Sequence, residues 1–365
     1  MSHASVIQKQ AKHSTIEVLQ IMRVFSAMVV FLSHFFDPTE YALPGGTVFV
    51  GRVGVAFFFM ISGFLLIYTD RGTAKGYFRK RIVRLVPLYY LTTFAVFAVG
   101  LVMPSFLHTS ESGIVPLVKS LLFIPFYSGS GVFPLYPITW TLTAEVFVYV
   151  IYYLPMLLLK SRTLSAHMVH HKKQFKGIVT SLILITLVIV REFVPKNIFT
   201  DAYGAKYMLY FVIGILVACF WENILSAAKK CHIVISTSEN CAVQTTVALI
   251  IGVLILSMSL LYRDTYPFIL LMGVIFVVLL TVLWQYRFPK IIVEIGNMSY
   301  SFYLVHYFVV KLYLRIFCNS SEVTNVVFAI LMAAVCYTVT TGLAYICYRV
   351  VEKWLTGILK KLLKI

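Results

Sequence analysis

Ten apolar stretches, most of them long enough to cross a lipid bilayer, constrain this chain more than any other feature of its sequence. A transmembrane helix needs roughly 17–25 predominantly apolar residues. The stretches cover about 16–36, 51–70, 82–103, 138–159, 178–194, 206–222, 242–262, 266–284, 299–317 and 325–350. Only 12% of the 365 residues are charged, whereas soluble domains carry about 25%. The sequence therefore predicts an all-α polytopic membrane protein, a bundle of about ten transmembrane helices, and excludes a soluble, disordered or disulfide-stabilised fold.

The distribution of Lys and Arg predicts which way these helices run. If the amino terminus is cytoplasmic, 22 of the 31 basic residues fall on the cytoplasmic side and 8 on the other, with Arg23 inside the first span. Basic residues concentrate in the cytoplasmic loops of membrane proteins. We therefore expect both termini in the cytoplasm, a tail over 1–15, a membrane domain over 16–350 and a basic cytoplasmic tail over 351–365. The same distribution accounts for the net charge of +17 without nucleic-acid binding.

Shorter features suggest local roles. The first apolar stretch ends at Asp37-Pro38 without a small-residue cleavage pattern, so we expect a retained helix rather than a signal peptide. The segment 117–127 is apolar but too short to span, which indicates an interfacial or re-entrant position, and the surrounding segment 104–137 could form a lid. The six cysteines lack metal-ligand spacing, so we expect neither disulfides nor a metal site.

Ionisable side chains at membrane depth are costly and often mark a functional site. Arg23 and His34 are eleven positions apart, which places them about 20° apart around a helix and roughly 16 Å apart along it. A cation and a titratable base on one face suit an elongated anionic ligand, although the two side chains could instead reach opposite membrane interfaces. Glu145 lies at a depth close to that of His34, where a carboxylate could orient the imidazole and raise its basicity.

Two further groups of polar residues have both a functional and a structural interpretation. His306 falls on one helical stripe with Ser299 and Tyr303, which indicates either an interhelical hydrogen bond or a substrate contact. Arg81 and Arg84 are three positions apart and could clamp phosphates, or could belong to an ordinary basic anchor at the membrane surface.

Five blocks of the sequence, in order, resemble the acyltransferase-3 family, whose members are membrane enzymes that move acyl groups from acyl-coenzyme A to extracytoplasmic glycans. The blocks are Arg23 with His34, GVAFFFMISGFL from Gly54, the basic block ending in Arg81-x-x-Arg84 and followed by Pro87, WTLTAEVFVY from Trp140, and IGNMSYSFYLVH ending at His306. They extend over 19–306. The chain departs from the family pattern at Gln20, where an acidic residue is frequent, and at Val24, where glycine is frequent. Gly54, Ser62 and Gly63 of the second block fit close helix approach.

The resemblance implies a role for each of the ionisable residues in donor binding or in catalysis. Arg81, Arg84 and Arg23 would hold the phosphates of acyl-CoA, with acetyl-CoA as the expected donor co-substrate and no permanently bound cofactor. His34 would act as general base on an acceptor hydroxyl, with Glu145 positioning its ring, or would carry the acyl group covalently.

The resemblance also implies the substrates and the location. Trp140, Tyr303 and His306 would contact substrate, and the acceptor would be a surface glycan or glycolipid such as lipopolysaccharide O-antigen or exopolysaccharide, reached from the bacterial inner membrane. A lipid, peptidoglycan or a small secreted product stays open as acceptor, as does the oligomeric state. The alternative class is a proton-coupled transporter or flippase with Arg23, His34 and Glu145 as proton relay, although the chain shows no internal repeat of the transporter kind.

Overall fold

The protein is a helical bundle with one short hairpin. The computed structural model describes residues 3–36, 48–70, 76–103, 113–128, 131–159, 171–231, 265–284, 286–317 and 326–363. Within these ranges the helices are α1 (His3–Phe35), α2 (Val48–Tyr68), α3 (Tyr77–Val102), α4 (Ile114–Leu121), α5 (Trp140–Leu158), α6 (Lys172–Phe193), α7 (Ile198–Tyr203), α8 (Met208–Cys219), α9 (Trp221–Lys230), α10 (Tyr266–Val282), α11 (Lys290–Asn297), α12 (Ser299–Phe317), α13 (Val326–Cys347) and α14 (Thr356–Leu362). A 3-10 turn over Pro137–Thr139 precedes α5, a π-helical segment over Tyr348–Leu355 joins α13 to α14, and β1 (Tyr127–Ser128) pairs antiparallel with β2 (Gly131–Val132).

The lengths of the helices support the predicted all-α membrane fold. Six described helical segments are long and apolar enough to cross a membrane, and they fall in α1, α2, α3, α5, α6 and the continuous run Val327–Leu362. Helices α8 and α9 meet at a bend of 68° and would make a seventh span if counted together. The predicted span 242–262 lies outside the described residues. Ten spans and cytoplasmic termini therefore stay predictions.

The last helical run of the structure continues past 350, the predicted end of the membrane domain. The expected tail 351–365 begins inside the π-helical segment, and the helix continues to Leu362. Val351 is buried, and the Thr356 hydroxyl donates to the carbonyl oxygen of Val83 at 3.4 Å. The basic residues between 351 and 362 therefore lie on a helical segment that packs on α3.

The segment around α4 is fastened to α3 by hydrogen bonds. The Tyr89 hydroxyl donates to the carbonyl oxygen of Ser120 at 2.7 Å, and the Tyr90 hydroxyl donates to the carbonyl oxygen of Leu121 at 3.0 Å. Helix α4 has 8 residues, so it is too short to span a bilayer, as the sequence predicts.

Glycines allow α2 to approach its two main partners, α1 and α8, at backbone distance. A Cβ added at Gly63 would overlap the carbonyl oxygen of Phe211, and one added at Gly54 would lie 2.6 Å from the carbonyl oxygen of Ser26. The predicted role of Gly54 and Gly63 in close helix packing is thus confirmed. On α8, Gly214 lies against the Met60 backbone in the same way.

Replacing Gly214 by Ala is expected to destabilise the protein by about 1–3 kcal/mol, since the added methyl group must push α2 and α8 apart. The matched control is Gly342→Ala, because no atom from another described helix lies within 4 Å of a Cβ built at Gly342. Thermal unfolding of both variants in the same detergent measures the difference. Equal midpoints would show that the α2–α8 contact tolerates extra volume.

Candidate active site

Two cavities meet inside the bundle. The first, of about 80 Å³, is called here the Arg23 cavity; its polar wall residues are Arg23, Ser62, Arg84, Thr141, Glu145, Ser299, Tyr300 and Tyr303. The second, of about 440 Å³, is the His34 cavity; its polar wall residues are Ser33, His34, Arg52, Trp140, Tyr207, Tyr210, Tyr303, Tyr307 and Lys311. Val55 and Tyr303 belong to both walls. The predicted shared face of Arg23 and His34 therefore points into two adjoining spaces.

Arg23 is held by its own helix and by a set of charges. Its Nη1 donates to the Gln20 side-chain oxygen at 3.2 Å, so the glutamine supplies the acceptor that an acidic residue would offer at this position. Its electrostatic partners include Arg84, Glu145 and Glu352. Glu352 also accepts from the backbone N–H of Ser301 at 3.1 Å. Sequence reasoning missed Glu352 because it was assigned to the tail.

Glu145 belongs to the Arg23 cavity and not to the His34 cavity. Its carboxylate accepts from the Ser62 hydroxyl at 2.9 Å and from the Tyr149 hydroxyl. The structure thus places this carboxylate beside Ser62 and Tyr149, and its predicted action on His34 stays a prediction. The sequence predicts the depth of Glu145 in the membrane but not the rotation of α5 about its own axis. That rotation directs the Glu145 side chain toward α2 and Arg23. The contact between Ser62 and Glu145 was not expected.

The two arginines of the basic block have different surroundings. The Arg81 guanidinium lies over the rings of Tyr77 and Tyr149, at 4.7 Å and 4.3 Å from their centroids. Arg84 is exposed and lines the Arg23 cavity. Residues three apart on a helix point about 60° away from each other. Here that angle directs Arg81 onto the tyrosine rings and Arg84 into the Arg23 cavity. Of the two, Arg84 lines the Arg23 cavity, and the paired clamp stays a prediction.

His34 packs against α12. Its ring centroid lies 5.3 Å from that of His306 and 5.5 Å from that of Tyr307. His306 is fully buried, and its Nδ1 lies 2.6 Å from the carbonyl oxygen of Tyr303. Because a carbonyl only accepts, Nδ1 carries the proton and Nε2 presents a lone pair. That Nε2 atom is buried and has no hydrogen-bond partner among the described residues.

The three residues predicted to contact substrate lie at different places relative to the two cavities. Tyr303 lines both cavities, and its hydroxyl donates to the carbonyl oxygen of Ile138 at 2.7 Å. Trp140 lines the His34 cavity. His306 is in the described wall of neither cavity, so its position beside His34 favours an action through that ring rather than on a substrate.

Two cations of the His34 cavity were not anticipated. Arg52 lies near the start of α2, and Lys311 lies on α12 with 8% of its surface exposed. The Lys311 ammonium lies 5.2 Å from the centroid of the Tyr307 ring. The signal for Lys311 was present in the sequence, because a lysine inside an apolar stretch is costly unless it faces a polar interior.

Apolar helices that enclose two cavities, one cationic and one built around a histidine, describe a multi-pass membrane protein with an internal polar site. The chain belongs to the family described as the acyltransferase domain, which matches residues 16–349; the family predicted from the five sequence blocks is confirmed. It is similar to the exopolysaccharide production protein ExoZ of Rhizobium meliloti (strain 1021), with 28% identity over 273 residues, which is 72% of this chain and 77% of that protein. No solved structure matches the chain.

Proposed function

We propose that this protein transfers an acyl group, acetyl in the first place, from cytoplasmic acyl-CoA to a hydroxyl of an extracytoplasmic glycan. The observation that carries the proposal is that the two cavities adjoin at Tyr303. Arg84 lines the cavity on one side of Tyr303, and His34 lines the cavity on the other. The similarity to a protein named for exopolysaccharide production supports a polysaccharide acceptor. Lipopolysaccharide O-antigen is the other acceptor of this class, and the bacterial inner membrane is the proposed location.

The donor would bind along the line of the two cavities. Arg84 and Arg23 suit the phosphates of coenzyme A, because a guanidinium pairs with a phosphate through two parallel hydrogen bonds. The Arg23 cavity, at about 80 Å³, is much smaller than the His34 cavity, at about 440 Å³, and the Tyr303 side chain stands in the wall between them. Passage of the pantetheine arm therefore requires the Tyr303 side chain to swing out of this wall. The thioester would then reach the 440 Å³ cavity that contains His34.

The chemistry requires a base, an electrophile and a charge to stabilise the intermediate. His34 would take the proton of the acceptor hydroxyl while its oxygen attacks the thioester carbonyl carbon. Lys311, in the same cavity, would stabilise the negative charge on the carbonyl oxygen. When the intermediate collapses, the carbon–sulfur bond breaks and the thiolate of coenzyme A receives the proton from His34. The products are the glycan ester and free coenzyme A.

His306 takes the positioning role expected of Glu145. With its Nδ1 proton donated to the Tyr303 carbonyl, the neutral His306 ring has an Nε2 that is unpartnered among the described residues and would accept a hydrogen bond from the adjacent His34 ring during the reaction. A base whose second nitrogen is held by a buried acceptor keeps one tautomer and one orientation, which is the general logic of catalytic triads. Glu145 would instead offset the positive charge of Arg23 in the same cavity.

The test is turnover by the purified protein in nanodiscs with acetyl-labelled acetyl-CoA and a mixed surface-glycan extract. Loss of the thioester together with label on the glycan is the expected result. Failure to bind or consume acetyl-CoA would overturn the proposal and return Arg23 and His34 to a transport interpretation.

Replacing Arg84 by Ala is expected to raise the KM for acetyl-CoA about tenfold and to leave the KM for the acceptor unchanged, because Arg84 lines the mouth of the cavity assigned to the donor. Arg79→Ala is the control; Arg79 is an exposed cation of the same basic block and is not in the described wall of either cavity. Steady-state kinetics with each substrate varied separately give both constants. A rise in both KM values, or an equal effect of Arg79→Ala, would contradict the phosphate assignment.

A further inference from the structure

A third space opens beside the His34 cavity. It is a groove of about 510 Å³, called here the Asp201 groove, with Tyr127, Trp140, Arg191, Lys196, Asp201 and Tyr207 among its wall residues. Phe133, Trp140 and Tyr207 line both spaces, and the Trp140 and Tyr207 rings meet edge to face with centroids 4.9 Å apart. A ligand in the groove would therefore lie next to the cavity that contains the base. The groove is not part of the proposed donor site, and the proposed acyl transfer at His34 does not use it.

The carboxylate of the groove is already engaged. Asp201 Oδ1 accepts from Arg191 Nη2 at 3.4 Å, and Asp201 Oδ2 accepts from the Tyr127 hydroxyl at 3.1 Å. Partial desolvation and the adjacent Asp201 carboxylate raise the pKa of Tyr127, so the phenol stays protonated as a donor at neutral pH. Lys196 is exposed and pairs with no carboxylate of the described part of the chain. The groove thus presents a net positive charge.

The neighbouring cavity adds to this charge. Its described walls contain Arg52 and Lys311, and no carboxylate among the residues that the structure describes. The two adjoining spaces together hold four cations and Asp201. A space walled by one sign of charge concentrates ligands of the opposite sign. Aromatic side chains at the junction give the apolar surface that the C–H face of a pyranose ring can cover.

We infer that the Asp201 groove is the acceptor subsite and that its substrate is an acidic oligosaccharide, with a carboxylate on or next to the sugar that is acylated. The pyranose ring packs against Trp140 and Tyr207, and Lys196 with Arg191 binds the carboxylate. This inference rests on the proposed acyl transfer and adds the charge class of the acceptor. An anionic group could also come from the pyrophosphate of a lipid carrier, so the experiment separates the two sources.

The experiment compares three acceptors with the full-length protein in nanodiscs: a neutral oligosaccharide, the same oligosaccharide with one hexose replaced by a hexuronic acid, and the neutral one linked to polyprenyl pyrophosphate. Acetyl-CoA consumption without any acceptor is measured in parallel. The uronic acceptor is expected to have a KM about tenfold below the KM of each of the other two acceptors. The preference should shrink at high ionic strength, because salt screens charges at an exposed site.

Two substitutions assign the preference to the groove. Lys196→Ala should abolish the preference for the acidic acceptor, and Lys196→Glu should reverse it, with the KM for acetyl-CoA unchanged in both. Lys206→Ala is the matched control, since the Lys206 ammonium lies 4.6 Å from the centroid of the Tyr266 ring and is not in the described groove wall. Lys196 is exposed, so these variants should fold normally.

The outcomes distinguish the inference from the function beneath it. Equal KM values for the neutral and uronic acceptors, a preference that belongs to the pyrophosphate, unchanged selectivity in Lys196→Glu, or thioester loss without acylation of any acceptor would each overturn the acidic-glycan inference while leaving the donor chemistry in place. Absence of any reaction with acetyl-CoA would instead overturn the acyltransferase proposal itself.

Discussion

Replacing His34 by Ala is expected to lower acyl transfer about 10²–10⁴-fold, the range attributed to a single general base, while the protein still inserts and folds. His34 is half-buried in the wall of its cavity and packs on Tyr307 through an edge-to-face contact at 5.5 Å. Loss of the imidazole removes the group that takes the acceptor proton and leaves the cationic donor site intact. Label transfer from acetyl-CoA to the glycan, with substrates at saturation, measures the effect.

The control for His34 is His171→Ala. His171 is exposed just before α6 and is not in the described wall of either cavity, so this variant should transfer label at the wild-type rate. Donor binding by the His34 variant is measured separately by equilibrium binding of acetyl-CoA. Wild-type transfer by His34→Ala would remove the base from the proposal, and loss of donor binding would move His34 from the chemistry to the donor site.

Replacing His306 by Leu is expected to lower kcat about 10–100-fold with both KM values unchanged, since the ring acts through His34 and reaches neither described cavity wall. His306→Gln should keep a large part of kcat, because its amide can donate to the Tyr303 carbonyl and accept from His34. The pair of variants separates an electrostatic role from a packing role at a site with 0% exposure. Thermal unfolding of both variants accompanies the kinetics.

A purely structural His306 would give a different pattern. Leu and Gln would then lower kcat in proportion to their loss of stability, and the more stable variant would be the more active. Equal activity of the two variants at equal stability would also refute the positioning role. The expected result is that Gln is the more active variant even where Leu is the more stable.

Several parts of the site could be predicted from the sequence because they depend on one helix at a time. Arg23 and His34 share a face since helical geometry fixes the angle between residues eleven apart. Gly54 and Gly63 lie at close helix contacts because small residues allow backbones to approach. In each case the inference needs no knowledge of how two helices are rotated relative to each other.

The parts of the site that the sequence could not predict depend on the rotation of helices relative to each other. Glu145 was assigned to His34 on depth alone, and the orientation of α5 places it beside Ser62. Arg81 was grouped with Arg84, but its guanidinium stacks on Tyr77 and Tyr149, which come from two helices. Glu352 was missed because the end of the last apolar stretch was taken as the end of the helix. Pairing across helices is set by packing, which a hydropathy pattern does not contain.

The wall that Val55 and Tyr303 form between the two cavities also bears on proton leakage across the membrane. A protein that guides a long substrate through the bilayer risks becoming a proton leak, and each charge that crosses releases ~2.3 kcal/mol per 100 mV. The Arg23 cavity beside this wall has a volume of about 80 Å³ and is bordered by Arg23, Arg84 and Glu145, and its net positive charge would oppose the entry of protons and other cations. In the proposed enzyme, these charges would therefore limit proton leakage through the cavity between turnovers.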